Sequence, residues 1–154
     1  MSCIRRTFQR RVALSVSVGA LSVLMLAGCA TTSGGAMGTF SRAAVQASSA
    51  LSTAQLTFQL YTTDRSTNGV TDTALKDSLK ELLDAEQQVE DASPQTDAEV
   101  ATQAESLKQI RAAADDVIAA QLAVSGTSSD DPTQSLSAQD AALNDLRQQL
   151  EPYK

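Results

Sequence analysis

The sequence predicts an all-α fold, an antiparallel bundle of about four helices that follows a cleaved signal peptide and a flexible tether. Three observations carry that expectation. From Phe40 to Tyr153 the apolar residues recur at spacings of three and four, the period of one helical face. The periodic stretches are separated by short segments of turn chemistry around 66–69, 93–94 and 127–132, and connections of about five to ten residues favour antiparallel neighbours. No window alternates apolar and polar residues as a half-buried strand does.

Residues 1–28 read as a targeting segment. A basic stretch holding Arg5, Arg6, Arg10 and Arg11 precedes the apolar run 12–26, and Leu26-Ala27-Gly28-Cys29 follows, the order that marks a secretory signal peptide. The tetrapeptide resembles the lipobox of bacterial lipoproteins. That resemblance implies cleavage between Gly28 and Cys29, with Cys29 becoming a lipidated N-terminus on the extracytoplasmic face of a membrane. In a two-membrane envelope, Ala30 directly after the cysteine resembles a signal for the outer membrane. The competing reading is an uncleaved span, because 12–28 gives seventeen largely apolar residues, at the short limit of the roughly 17 to 25 that a bilayer requires. Ser15, Ser17, Gly19 and Ser22 weaken such a span. Arg5-Arg6-Thr7-Phe8-Gln9-Arg10 also resembles the twin-arginine export motif, departing from it at Ile4 and Gln9, so both that route and an ordinary basic n-region fit.

Cysteine usage follows from this reading. Cys3 leaves with the signal and Cys29 carries lipid, so the mature chain has no thiol for a disulfide, for redox exchange or for nucleophilic hydrolysis. Two or more acyl chains on Cys29 would anchor it stably, where one gives only marginal binding. Residues 29–38 continue as small, uncharged, glycine-containing sequence, the composition of a flexible tether. The bundle domain is then expected over 39–154.

The first helix is read from the stripe Phe40, Ala44, Ala47, Leu51, Ala54, Phe58, Tyr61, ending before the turn Ser66-Thr67-Asn68-Gly69. A second starts after Val70, with Thr71 or Asp72 as cap and Leu75, Leu79, Leu82 and Val89 as its stripe, interrupted by Glu86. The third follows Ser93-Pro94, where Thr96 and Glu99 have capping-box spacing. Its stripe is Val100, Gln103, Leu107, Ile110, Ala114, Val117, Gln121, Val124, and Gly126 is placed to end it. The fourth is capped by Asp131, carries Pro132 in its first turn, and presents Leu136, Gln139, Leu143, Leu146, Leu150 and Tyr153. Leu, Ile, Val and Phe make up only 23 of the 126 residues from Cys29 onward, a fraction low enough to warn of disorder. The sustained helical period argues against it, and modest stability per residue is the expectation, relieved by pairing with another helical protein or with itself.

Charge and composition exclude function classes. The chain contains no His, and from Cys29 onward eight cations face eighteen anions, a net charge of −10. Such a surface repels phosphates, so nucleic acid is not an expected partner. The only side-chain amines are Lys76, Lys80, Lys108 and Lys154, all in polar surroundings, which leaves Ser and Thr hydroxyls without a convincing base. Asp115-Asp116 point about 100° apart on a helix and Asp130-Asp131 read as loop and cap, so no metal site and no cofactor is expected. Gln103, Gln121 and Gln139 fall on otherwise apolar stripes, either as register-selecting groups or at stripe edges within reach of water. Phe58 and Tyr61, with Leu56 and Leu60, widen the apolar cover of the first helix at its far end, as a docking patch or as thick core. The expected function is a non-catalytic envelope lipoprotein, held to the membrane by lipid on Cys29, that acts as protein-interaction adaptor or spacer. The alternative is a small apolar-ligand carrier or accessory protein of an envelope transporter.

Overall fold

Four helices make up almost all of residues 34–153, which the computed structural model describes: α1 (Gly35–Thr62), α2 (Asn68–Glu90), α3 (Asp97–Val124) and α4 (Thr133–Leu150), with a closing 3-10 turn at Glu151–Tyr153. They run up, down, up, down. Cross-helix bonds pair rising with falling numbers: Ser48 with Asn144 and Ser52 with Asp140 between α1 and α4, Gln103 with Val89 and Asn68 with Val124 between α2 and α3. Helices α1 and α3 each touch all three others, whereas α2 and α4 do not meet. The bundle is therefore a rhombus with α1 and α3 across its short diagonal.

Composition explains that diagonal. Ala43, Ala44, Ala47, Ala50 and Ala54 of α1 and Ala113, Ala114 and Ala120 of α3 are all buried, and side chains that end at Cβ let two backbones approach closely. The larger groups fill the corners: Phe40, Leu51 and Phe58 from α1, Leu75, Leu82 and Val89 from α2, Ile110 and Val117 from α3, Leu136, Leu143 and Leu150 from α4. Each buried Leu or Phe contributes about 1.5–3 kcal/mol, a buried alanine far less.

Helix α1 begins earlier than composition suggests. Gly35, Ala36, Met37 and Gly38, assigned above to a tether spanning 29–38, form its first turn. Met37 and Ala36 pack on the core and Gly38 is buried, so tertiary contact outweighs glycine's weak helix propensity of about 1 kcal/mol per residue. Gly34 precedes the helix at φ 104°, and a Cβ there would meet the Tyr153 carbonyl oxygen and Gly38 Cα, each at 3.0 Å. Glycine lets the entering chain pass the C-terminal turn.

The α1–α2 turn also differs from expectation. Its one left-handed non-glycine residue is Asp64, at φ 56°, while Asn68 and Gly69 already belong to α2. The cap is Thr67, whose hydroxyl accepts the Val70 N–H, rather than Thr71 or Asp72. Thr71 is thereby free to be buried, donating to the Ser66 hydroxyl at 2.9 Å.

In α3 the capping box forms as expected, with the Glu99 carboxylate accepting the Thr96 N–H at 3.0 Å and the Thr96 hydroxyl accepting the Glu99 N–H at 3.2 Å. Gly126 sits at φ 73° just past the end. The expected stripe is buried at Ile110, Ala114, Val117 and Val124, with Leu107 packed against the core, and the buried face departs from it at two places. Ser106 is fully buried and Val100 is 52% exposed, because α3 must face α1 across the diagonal as well as its two sequence neighbours. Helix α4 starts one residue later than anticipated, with Pro132 at the cap position and Asp131 accepting both the Thr133 N–H and its hydroxyl. Tyr153, expected on the core stripe, lies exposed in the 3-10 turn.

Candidate functional site

Cys29, the expected lipidation site, and the Gly28–Cys29 bond, the expected cleavage site, lie outside the described residues. Within them the candidates are interhelical polar ties, surface grooves and exposed apolar side chains. Among the described residues no three Asp, Glu, Cys or His side chains are grouped to hold a metal.

The three described lysines are each committed to a carboxylate on their own helix: Lys76 to Asp72 at 2.6 Å, Lys80 to Asp84 at 2.9 Å, Lys108 to Glu105 at 3.4 Å. Lys80 is held protonated above the ordinary lysine range by its hydrogen bond and charge interaction with Asp84, the opposite of what a general base requires. Asp115 and Asp116 diverge, as their helical positions demand. Asp116 is half-buried facing α4, and loss of solvent raises its pKa, with Asp115's charge adding and the Ser135 hydroxyl opposing.

The seams hold more information. Gln103 donates to the Val89 carbonyl at 2.8 Å and to Ala92 at 3.2 Å, satisfying carbonyls that the end of α2 leaves open. At the other end of the same seam the Asn68 amide reaches the Val124 carbonyl at 3.4 Å. Between them Arg111 spans Glu86 and Glu90, both at 2.6 Å. Glu86, which breaks the apolar stripe in sequence, thus borders the α2–α3 seam. Gln139 donates to the carbonyl and side-chain oxygen of Gln109, tying α4 to α3. Of the three stripe glutamines only Gln121 forms no such tie: its amide nitrogen is buried without a partner among the described residues, as are the Ser41 and Ser106 hydroxyls and Arg147 Nε.

Between α1 and α2 the Gln46 amide donates to the Glu81 carboxylate at 2.7 Å and accepts from Gln88 at 2.7 Å. Toward the α1–α2 turn from this bridge lies an open groove of about 370 Å³ walled by Ser49 and Thr53 on one side and Ala74 and Asp77 on the other. Phe58 and Tyr61 stack at a tilt with ring centroids 6.1 Å apart, Phe58 buried and Tyr61 half-buried against the core. These aromatics belong to the core, and Leu56 beside them is exposed. The sequence could not single out the groove, because its walls are stripes on two helices whose relative rotation only packing decides.

Helical four-element architecture and interhelical polar ties define the class of this domain: an all-α, up-down-up-down bundle. Set against known protein families, curated proteins and solved structures, the chain matches none of them. No helix of the described residues is long and apolar enough to cross a membrane.

Proposed function

We propose that this chain is a lipid-anchored, non-catalytic protein of the bacterial cell envelope, an adaptor or spacer held by acyl chains on Cys29 at the extracytoplasmic face of a membrane. The observation that carries the reading is the ordered series of basic residues, apolar run and Leu26-Ala27-Gly28-Cys29. The onset of α1 at Gly35 adds a dimension to it. Only five residues separate Cys29 from the first helical residue, a link of roughly 20 Å at full stretch. Helices of 28 residues are about 42 Å long. An anchored bundle of this length keeps its α1 N-terminal end near the headgroups and can present its other end about 60 Å out, which suits a spacer or an adaptor.

A small-ligand carrier would need an enclosed apolar chamber and would keep its ligand on extraction, whereas an adaptor needs only an outer surface. The test is chemical crosslinking in native membranes followed by mass spectrometry, with Cys29→Ala as the unanchored control. The expected result is a diacylated mature N-terminus and a defined envelope-protein neighbour that disappears in the control. An unmodified Cys29 would overturn the anchor, and a chain without any protein neighbour would overturn the adaptor.

A further inference from the structure

The chain has two asparagines, Asn68 and Asn144, and the fold gives them opposite chemical settings. Asn144 lies well inside α4, where its amide donates to the Asp140 carbonyl and carboxylate and its oxygen accepts the Ser48 hydroxyl. The backbone nitrogen that follows it, that of Asp145, sits in an uninterrupted helix. Asn68 is instead the first residue of α2, followed by Gly69, and both are exposed. Its side chain is tied to the Val124 carbonyl at 3.4 Å, longer than the ordinary range for an N–H···O bond.

An asparagine amide reacts with the backbone nitrogen of the next residue when that nitrogen can reach Cγ, and position 69 permits the approach. Gly69 has no side chain, and a Cβ there would meet nothing within 4 Å, so nothing crowds the nitrogen. Its N–H is one of the four that a helix start leaves without an intrahelical acceptor. Reaching Cγ requires the Asn68 backbone to leave its helical conformation. The side chains that restrain this first turn hold it loosely: the Thr67 hydroxyl accepts the Val70 N–H at 3.4 Å, as long as the tie to Val124. Glycine also gains more conformational freedom than any other residue when a turn opens.

We propose that Asn68-Gly69 is a spontaneous deamidation site whose conversion unties the start of α2 from the end of α3. The Gly69 nitrogen, its proton passing to hydroxide, bonds to Asn68 Cγ. The Cγ–Nδ2 bond breaks, and the nitrogen takes a proton from water and leaves as ammonia. The product is a five-membered imide, formed without oxidation or reduction. Water then adds at one of the two imide carbonyls. Addition at Cγ breaks the new N–Cγ bond and leaves aspartate. Addition at the main-chain carbonyl breaks the original peptide bond and leaves isoaspartate, with the backbone running through the side chain. Either product replaces an amide donor by a carboxylate. That carboxylate stands by the Val124 carbonyl at the C-terminus of α3, the negative end of that helix, so an attraction across the seam becomes a repulsion. The Gln103 tie at the other end of the same seam is untouched. The inference goes beyond the adaptor reading and depends on neither the anchor nor a partner.

The experiment ages the full chain, extracted from its membrane in mild detergent, at growth temperature in mildly alkaline buffer. Its peptides are then mapped by mass spectrometry with fragmentation that separates aspartate from isoaspartate. The expected result is conversion at Asn68 at least about tenfold faster than at Asn144, a barrier lower by about 1.4 kcal/mol, to both products and at a rate that rises with pH. Gly69→Ala, which has open space for its methyl group and a better helix propensity, should slow conversion about tenfold or more with helicity unchanged. Amide exchange in the last turn of α3 should be faster in the aged chain than in the fresh one, with the end of α2 held by Gln103 unchanged. Equal rates at the two asparagines, or a rate that Gly69→Ala does not alter, would overturn the site. Conversion without faster exchange at the end of α3 would overturn the untying.

Discussion

Substituting Ala47→Leu should destabilise the bundle by about 1–3 kcal/mol, the range for forcing extra methylenes into a filled core. Ala47 is fully buried, with Ala43, Ala44, Ala50 and Ala54 on its own helix and Ala113, Ala114 and Ala120 on α3, the diagonal partner of α1. A leucine there must push α1 and α3 apart or leave its rotamer minimum, and separating the diagonal strains every other seam because these two helices touch all the rest. For a domain of this size the loss corresponds to a fall in Tm of roughly 4–12 °C. Two companions calibrate it. Leu51→Ala, one turn along and equally buried, should cost about 2–5 kcal/mol through the opposite defect, a cavity. Ala138→Leu on the exposed face of α4 should stay within about 0.5 kcal/mol. The assay is thermal and urea unfolding followed by circular dichroism at 222 nm. A neutral or stabilising Ala47→Leu would refute the reasoning, because it would show unfilled space on the α1–α3 diagonal and move the function toward a ligand carrier.

Other consequences are open to direct measurement. Gln103→Ala removes two hydrogen bonds from the end of α2 and should cost about 1–3 kcal/mol, with faster amide exchange confined to the last turn of α2; uniform exchange would contradict a local cap. Thr96→Ala breaks the capping box and should cost about 0.5–2 kcal/mol in urea unfolding. Burial raises the pKa of Asp116, so its folded-state value lies above the unfolded one and its ionised form opposes folding above that value. Asp116→Asn should therefore be more stable than the parent at neutral pH, with the advantage disappearing as pH falls through the ordinary carboxylate range; an advantage independent of pH would assign it to packing. Glu99, held low by the backbone N–H of Gln95 first and by Thr96, works in the opposite sense. Its contribution is present above the unfolded carboxylate pKa and is lost as pH falls through its depressed folded value, so Glu99→Gln should flatten the acid limb of stability against pH.

What the sequence made legible was what depends on neighbours within one helix. The Thr96–Glu99 box and Gly126 were readable because a cap is satisfied within three or four residues, and α4 was readable because Leu136, Leu143, Leu146 and Leu150 leave little choice of face. The onset of α1 was not, because Gly34-Gly35-Ala36-Met37-Gly38 is linker composition until Met37 finds the core and Gly34 passes Tyr153. The phase of α3 was legible from Ile110 to Val124, but not the exposure of Val100 or the burial of Ser106, because the first turns of that helix are poor in large apolar groups and only the approach of α1 decides which side is inside. The groove is a relation between two stripes, Ser49-Thr53 and Ala74-Asp77, and a single sequence carries each stripe but not their pairing.

The small-residue seam and the polar ties are two halves of one solution. A diagonal lined by alanine buries little apolar area per residue, and alanines interdigitate with few constraints on sliding, so packing alone leaves register weakly set. Gln103 on Val89 and Ala92, Asn68 on Val124, and Gln139 on Gln109 fix that register at particular carbonyls, since a slip of one residue would leave each partner unpaired in a partly buried place. Helix α2 gains most from this, because it has no contact with α4 and is held only by α1 and α3. Tied at both ends to α3 and bridged to α1 through Gln46, Glu81 and Gln88, it keeps its distance from α1 along the stretch where Ala74 and Asp77 face Ser49 and Thr53. The same bonds that compensate a thin core therefore fix where α2 sits against both α1 and α3, so that register is set by polar pairing where alanine packing leaves it loose.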